Sequence, residues 1–393
     1  MPVADLVAQH GSPLWSVNLD VLRDRWRTLA STWNGVWPDV RIAYSHKANR
    51  HPAIVSALAA EGAWHQVSSG PEYELARTIA EGDGHTIVLH DVGLARPLLE
   101  RAAADDALVI ADSAGALNKA IEAGVRRLGV RVTASGVSQG PALYGVPAAE
   151  VPALVRLLPA GAPGLEALAL HFVPSSLKRP QAEASEMIRN LHVDWPNPPE
   201  HYASAARALA SLAMRLGVPV VDIGGGFPPA PDEWLYARAV AGALGGVGFD
   251  GRLVVEPGRA LAGEAVDLVC SVCEVKRLED GTRCVVVDAG LELVPGGLFR
   301  WPHIDALGPT EGPKSPAMVI GSHSRSHDIL HPAANLPPVG EGDLLVLRRV
   351  GAYNQSESTE HGALQAGVMV RDGGDWTPWE GATASRSRPP ASA

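Results

Sequence analysis

The chain has 393 residues, 46% of them hydrophobic, and a formal net charge of −10 with no lysine- or arginine-rich block. That length exceeds one average domain, and the charge balance excludes a nucleic-acid footprint. No apolar stretch is long enough to cross a bilayer, and the opening MPVADLVAQHGSPLW lacks the basic-then-apolar order of a secretory signal. These bounds leave a cytoplasmic enzyme acting on a small molecule, with no membrane or nucleic-acid partner.

In chain order, GSPLWSVNLD reads as a short strand belonging to a later sheet. Eight apolar runs follow: RIAYS (41–45), WHQVS (64–68), TIVLH (86–90), ALVIAD (107–112), RLGVRVT (127–133), ALALHF (167–172), PVVDIG (219–224) and RLVVEPG (252–258). Their lengths and flanking glycines mark buried strands, and helical patterns separate most of them. Several of those patterns end on glycine, which accepts the positive φ of a helix C-cap. Strands alternating with helices form parallel βαβ units, and eight such units close into a (β/α)8 TIM barrel. A long loop-like insert, 173–200, separates the sixth and seventh runs. Beyond about residue 263, AVDLVCSVCEVKRL, TRCVVVDAGL, AMVIG and DLLVLRRVGAY are strand-like without long helices between them. The expected class is α/β: a barrel at 28–263, a β-rich domain from 1–27 plus 264–380, and a Ser/Pro/Ala-rich disordered tail at 381–393. Cys270, Cys273 and Cys284 make no disulfide framework. The first two form a CxxC inside a strand-like run and read as buried structural cysteines rather than a zinc site.

Catalytic groups of such barrels sit at the C-terminal ends of the strands. There the sequence places Lys47 after the first run, Ser68, Ser69 and Gly70 after the second, and His171 at the end of the sixth. Gly224, Gly225 and Gly226 follow the seventh, and Glu256, Gly258 and Arg259 the eighth. A lysine at a barrel mouth can condense with an aldehyde. Consecutive glycine N–H groups can cradle a phosphate, because no Cβ blocks close approach, and an arginine adds a charged donor. A carboxylate facing a pyridine nitrogen keeps that nitrogen protonated. Together they suit a phosphate-bearing aldehyde cofactor with a pyridine ring, and no metal.

The segments YSHKAN, GGGFP, EPGR, VVDAG and VGAY, in this order, resemble the fold-type III pyridoxal-phosphate enzymes of the ornithine/diaminopimelate decarboxylase branch, whose barrel is similar to that of alanine racemase. The resemblance implies that the cofactor is pyridoxal 5′-phosphate, that Lys47 is the Schiff-base lysine and that Glu256 pairs with the ring nitrogen. Gly224, Gly225, Gly226, Gly258, Arg259 and Tyr353 would bind the phosphate. His171 would stack on or brace the ring. The family's His-x-Gly-Ser reads here as HFVPSS and allows two registers, one of which puts Val173 at the stacking position with Ser175 or Ser176 as a phosphate hydroxyl. The racemase group places an arginine at the ring nitrogen, so Glu256 favours decarboxylation, with racemase or D-amino-acid aldolase as the alternatives. The resemblance also implies a head-to-tail homodimer with shared sites.

Two departures bear on the substrate. The branch usually carries Cys-Glu-Ser-Gly-Asp, where the cysteine donates a proton and the acid holds a distal ammonium. The corresponding stretch here is GSHSRSHDIL (321–330), with Ser324 at the cysteine position and Arg325 at the acid position. Ser324 is a weak acid, so His323 or His327 is a candidate donor. Arg325 reverses the sign of the distal pocket, and Gln66 replaces a common aspartate. The expected substrate has an anionic or polycarboxylate-conjugated side chain, as in specialised metabolite biosynthesis.

Overall fold

A computed structural model describes residues 3–133, 144–156, 158–170, 197–229, 231–298, 300–308, 311–360 and 366–380. The chain divides into two compact units. One contains the chain up to Leu22 and from Leu261 onward; the other begins at Arg23 and ends at Ala260. The breaks lie slightly ahead of the expected positions, after 27 and 263.

The chain first forms a helix, Val3–His10, and strand β1 (Leu14–Asn18). The barrel unit then lays down β2 (Val40–Ser45), β3 (Trp64–Val67), β4 (Ile87–Leu89), β5 (Leu108–Ala111) and β6 (Arg127–Thr133). A short spur, β7 (Val146–Pro147), precedes β8 (Leu165–Leu170), β9 (Val220–Asp222) and β10 (Arg252–Val255). All pairings are parallel, and β10 pairs back onto β2 while β6 bridges β5 and β8, which closes an eight-stranded barrel with β7 outside the ring. Each expected run overlaps one of these strands. Strands buried on both faces read as continuous apolar runs, which is why the pattern is legible. Small and β-branched side chains fill the interior, among them Ala43, Val88, Ile110, Ala167, Ala169, Val220 and Val254.

Local chemistry fixes the helix starts. Ser69 Oγ accepts the Glu72 N–H at 3.4 Å while Glu72 Oε2 accepts the Ser68 N–H at 2.7 Å, a reciprocal cap on helix Gly70–Ile79. His51 accepts the Ala53 N–H ahead of helix Pro52–Ala60, whose proline occupies the first turn, where a missing N–H costs nothing.

The other unit adds β11 (Val266–Arg277), β12 (Arg283–Val287), β13 (His303–Leu307), β14 (Ser315–Gly321), β15 (Ile329–Leu336), β16 (Leu344–Arg348), β17 (Gly367–Arg371) and β18 (Trp376–Pro378). They form a mixed sheet in the order β15-β14-β12-β11-β1-β17-β18, with β16 on β11 and β13 on β16. β1 therefore belongs to this sheet, antiparallel to β11 and parallel to β17. The N-terminal helix and β13, β15, β17 and β18 escape the sequence reading. One cysteine assignment is corrected: Cys270 and Cys284 are buried, but Cys273 is exposed because β11 runs past its covered half. Residues 171–196, which hold most of the expected insert, and the tail at 381–393 lie outside the described residues. The insert's last two residues, Pro199 and Glu200, open the helix Pro199–Leu216 rather than a loop. No described helix is long and apolar enough to cross a membrane.

Candidate active site

Lys47 follows a buried strand almost directly. β2 ends at Ser45, and the chain enters a turn at His46–Ala48. Neighbouring loops hold that turn: Ser45 N–H donates to Pro257 O at 3.1 Å, and His46 N–H donates to Gln66 O at 3.0 Å. Tyr44 Oη donates to Asn49 O at 2.8 Å, and Asn49 Oδ1 accepts the His51 N–H at 2.9 Å. Gln66, read in the sequence as a loss of negative charge, is a buried brace. Its Oε1 accepts from Ser45 Oγ at 2.5 Å and its Nε2 donates to Ser68 Oγ at 3.0 Å. Beside the turn, His46 Nε2 and His65 Nδ1 lie 3.0 Å apart. Burial pushes both imidazoles down, His65 to about 4, and their mutual repulsion lowers His46 further. Two neutral rings thus support the half-buried Lys47.

The glycines interlock the rim. Gly224 N–H donates to Asp222 Oδ1 at 2.8 Å, and Gly224 O accepts the Glu256 N–H at 2.8 Å. Gly224 and Gly226 have φ of +68° and +86°, a region that side chains disfavour. A Cβ on Gly225 would collide with the carbonyl of Glu256, and one on Gly258 would stand 2.7 Å from Ala48 Cβ. The loops after β2, β9 and β10 are therefore wedged together. Gly225 and Gly226 are half-buried, and their N–H groups make no hydrogen bond among the described residues. That is an anion cradle. Arg259 opens the short helix Arg259–Ala262 directly after Gly258.

Glu256 is buried, with Oε1 2.9 Å from His90 Nε2, and Asp222 Oδ2 lies 3.6 Å from the same nitrogen. Arg131 donates to His90 Nδ1 at 3.1 Å and pairs with Asp112 Oδ1 at 3.0 Å. In the neutral ring, donation into Nδ1 leaves the hydrogen on Nε2, the nitrogen that stands 2.9 Å from Glu256 Oε1. Burial pushes the Glu256 carboxyl up, but the charge and hydrogen bond of His90, with Lys47 behind them, outweigh it and hold the group well below the usual carboxylate range. Burial and then the charge of Glu256 push Asp222 up, so the pair of acids divides its roles. Burial also opposes charge on His90, yet the two carboxylates outweigh it and raise its pKa. Glu256 remains the anion.

Lys47, Gly224, Gly225, Gly226, Glu256, Gly258 and Arg259 all fall on the rim at the strand C-termini of the barrel unit. A primary amine, unpartnered glycine N–H groups and an ionised buried carboxylate match the aldehyde, phosphate and ring nitrogen of pyridoxal phosphate. His171, Ser175 and Ser176 lie outside the described residues. His323, Ser324, Arg325 and Tyr353 belong to the sheet unit. Tyr353 has φ of +59°, a conformation a bulky residue adopts only when its surroundings impose it. The adjoining Asn354 supplies that constraint, accepting the Gly296 N–H at 2.8 Å and donating to Val350 O at 2.9 Å. Ser324 is exposed with φ of +50°, and the half-buried Arg325 has no ion-pair partner among the described residues. The sequence reading missed His90, Asp222 and Arg131. The first two sit at strand ends inside quoted runs, so the strand-end rule that selected Lys47 would have found them.

The sequence profile of the family described as pyridoxal-dependent decarboxylase, C-terminal sheet domain, matches residues 44–351. Diaminopimelate decarboxylase of Helicobacter pylori is 26% identical over 385 residues, covering 91% of this chain and 89% of the relative. The crystal structure of diaminopimelate decarboxylase from Helicobacter pylori with L-lysine superposes with a TM-score of 0.81 at 21% identity, over 96% of this chain and 95% of that one. Lysine/ornithine decarboxylase from Vibrio vulnificus with cadaverine gives 0.78 at 21% identity, over 94% and 97%. At such identities the superpositions establish the fold, and the profile establishes the lineage. The chain belongs to the pyridoxal-dependent decarboxylase family of fold type III, and is a pyridoxal-phosphate-dependent amino-acid decarboxylase.

Proposed function

We propose that this decarboxylase acts on an amino acid whose side chain ends in an anion, such as a free or conjugated carboxylate. In this reading Lys47 carries the cofactor aldehyde, and Gly224, Gly225, Gly226, Gly258, Arg259 and Tyr353 hold its phosphate. His171, with Ser175 or Ser176, completes the setting. Glu256, kept ionised by His90, holds the ring nitrogen's proton. Bound there, the cofactor supplies the electron sink for loss of carbon dioxide. His323 or Ser324 then returns a proton to the substrate carbon.

One observation carries the substrate class: Arg325 stands where the branch has an acid, and it has no ion-pair partner among the described residues. The relatives above were solved with L-lysine and cadaverine, both with cationic tails. An uncompensated guanidinium repels such a tail and accepts a carboxylate, bidentately where geometry allows. The same reading makes the chain a homodimer, in which His323, Ser324 and Arg325 of one copy serve Lys47 of the other. Sedimentation then gives twice the chain mass.

The test is carbon dioxide release over a panel of acidic, carboxylate-conjugated and diamino substrates with added cofactor. Acidic substrates should lead, and Arg325→Glu should lower kcat/KM for the best of them about 100-fold, the size expected for replacing a favourable charge pair by a repulsive one. Full activity of that variant on the acidic substrate, or a wild type that prefers lysine-like tails, would sink the proposal.

A further inference from the structure

A second cluster of His, Asp and Glu lies within the sheet unit and has no part in the rim just described. Glu292, in the turn after β12, and Asp328, just before β15, are both buried, and His323 faces them from the segment between β14 and β15. Asp328 Oδ1 accepts the Leu291 N–H at 2.8 Å. Both carboxylate oxygens of Glu292 and Oδ2 of Asp328 are sealed from solvent and have no hydrogen-bond partner among the described residues. The space they occupy exists because two neighbours lack a Cβ. A side chain on Gly290 would collide with Glu292 and come within 2.6 Å of Asp328 Oδ2, and one on Gly321 would collide with Asp328.

Three buried carboxylate oxygens without a hydrogen-bond partner require neutralisation. Burial raises the Glu292 pKa and Asp328 raises it further, against the nearby backbone N–H groups of Glu292 and Gly290 and the charge of His323. The remedy is either a proton shared by the acids or a cation. Geometry favours the cation. His323 Nδ1 lies 3.7 Å from Glu292 Oε1, too far for a hydrogen bond. That separation suits two ligands each about 2.1 Å from one ion. The ligand atoms of all three residues lie within 4.8 Å of one another. One imidazole and two carboxylates suit Zn2+ or Mn2+ better than an all-oxygen cation such as Ca2+.

We infer that Glu292, His323 and Asp328 bind one divalent transition-metal ion, which clamps the 321–328 segment onto the Gly290 turn. A ligating His323 has no proton to give through Nδ1, so Ser324 becomes the stronger donor candidate. The inference does not depend on the substrate class.

The test uses the cofactor-loaded protein. Its metal content is measured by mass spectrometry, and after chelation it is titrated calorimetrically with Zn2+ and, separately, Mn2+. One ion per chain is expected, with a rise in Tm. His323→Gln should weaken binding by about tenfold or more, and Asp328→Asn should weaken it further. Failure of both ions to bind at one per chain overturns the inference, as does binding that His323→Gln leaves unchanged. If Asp328→Asn does not fold, His323→Gln, at the partly exposed ligand, decides alone. Wild type that takes up no ion, while Glu292→Gln is more stable than wild type, would assign a shared proton instead and equally overturn it.

Discussion

The two units each hold a His–Asp–Glu cluster with buried carboxylates, and the difference between them lies in how the charge is answered. In the barrel, His90 Nε2 stands 2.9 Å from Glu256, with Arg131 and Asp112 behind it. The charge of His90 answers Glu256 directly, and Glu256 is held down. In the sheet unit, His323 stands 3.7 Å from Glu292, and among the described residues no arginine or lysine pairs with either acid. There the carboxyl is pushed up. Similar residues in a similar degree of burial thus yield a stable anion in one place and an unmet charge in the other. Partners, not burial alone, set the outcome.

The largest expected effect attacks the barrel side. Glu256→Gln strips His90 of its counter-ion and should cost about 3–5 kcal/mol, read from denaturant midpoints at neutral pH. The pH dependence sharpens this. The folded pKa of Glu256 is depressed, so its contribution is present above the ordinary 4.5 and is lost as pH falls through the folded value. The variant should lack that acid limb. A variant as stable as wild type at pH 7 would mean the pair contributes nothing.

The sheet-side counterpart should have the opposite sign. In chelated protein Glu292→Gln should stabilise by about 1–3 kcal/mol, since it removes a charge with no partner. The folded pKa of Glu292 is raised, so its contribution is present below the ordinary 4.5 and is lost as pH rises through the folded value. Chelated wild type should therefore lose stability with rising pH in a way that the variant does not. Parallel pH curves for the two proteins would erase the contrast.

A smaller effect probes the packing that positions the barrel cluster. Gly225→Ala forces a methyl against the Glu256 carbonyl and should cost about 1–2 kcal/mol, with weaker cofactor retention measured by equilibrium dialysis. Unchanged retention would mean that the loop relaxes freely.

Much of the barrel was legible in the sequence, because its strands are covered on both faces and read as unbroken apolar runs. The sheet unit was legible only in its longer strands. β15 alternates exposed and buried positions and includes a proline, and β18 has three residues, so neither stands out from loop. Lys47, Glu256 and the triple glycine were visible as polar or special residues at strand ends. His90 and Asp222 were open to the same strand-end rule, but one polar residue in an apolar run also reads as core. Glu292 and Asp328 could not be paired from the sequence, since what joins them is the register of β12 beside β14, which brings Val287 opposite Gly321.

The wedge of Gly225 against Glu256 and of Gly258 against Ala48 has an evolutionary side. Loops so closely nested tolerate few changes, and a drift in one drags the others with it. Novelty must therefore enter at side chains that are not wedged, and the exposed Ser322, Ser324 and Ser326 are of that kind. If the proposed substrate assignment holds, exchanging one metabolite for another takes a handful of codons there, while the cofactor chemistry stays frozen.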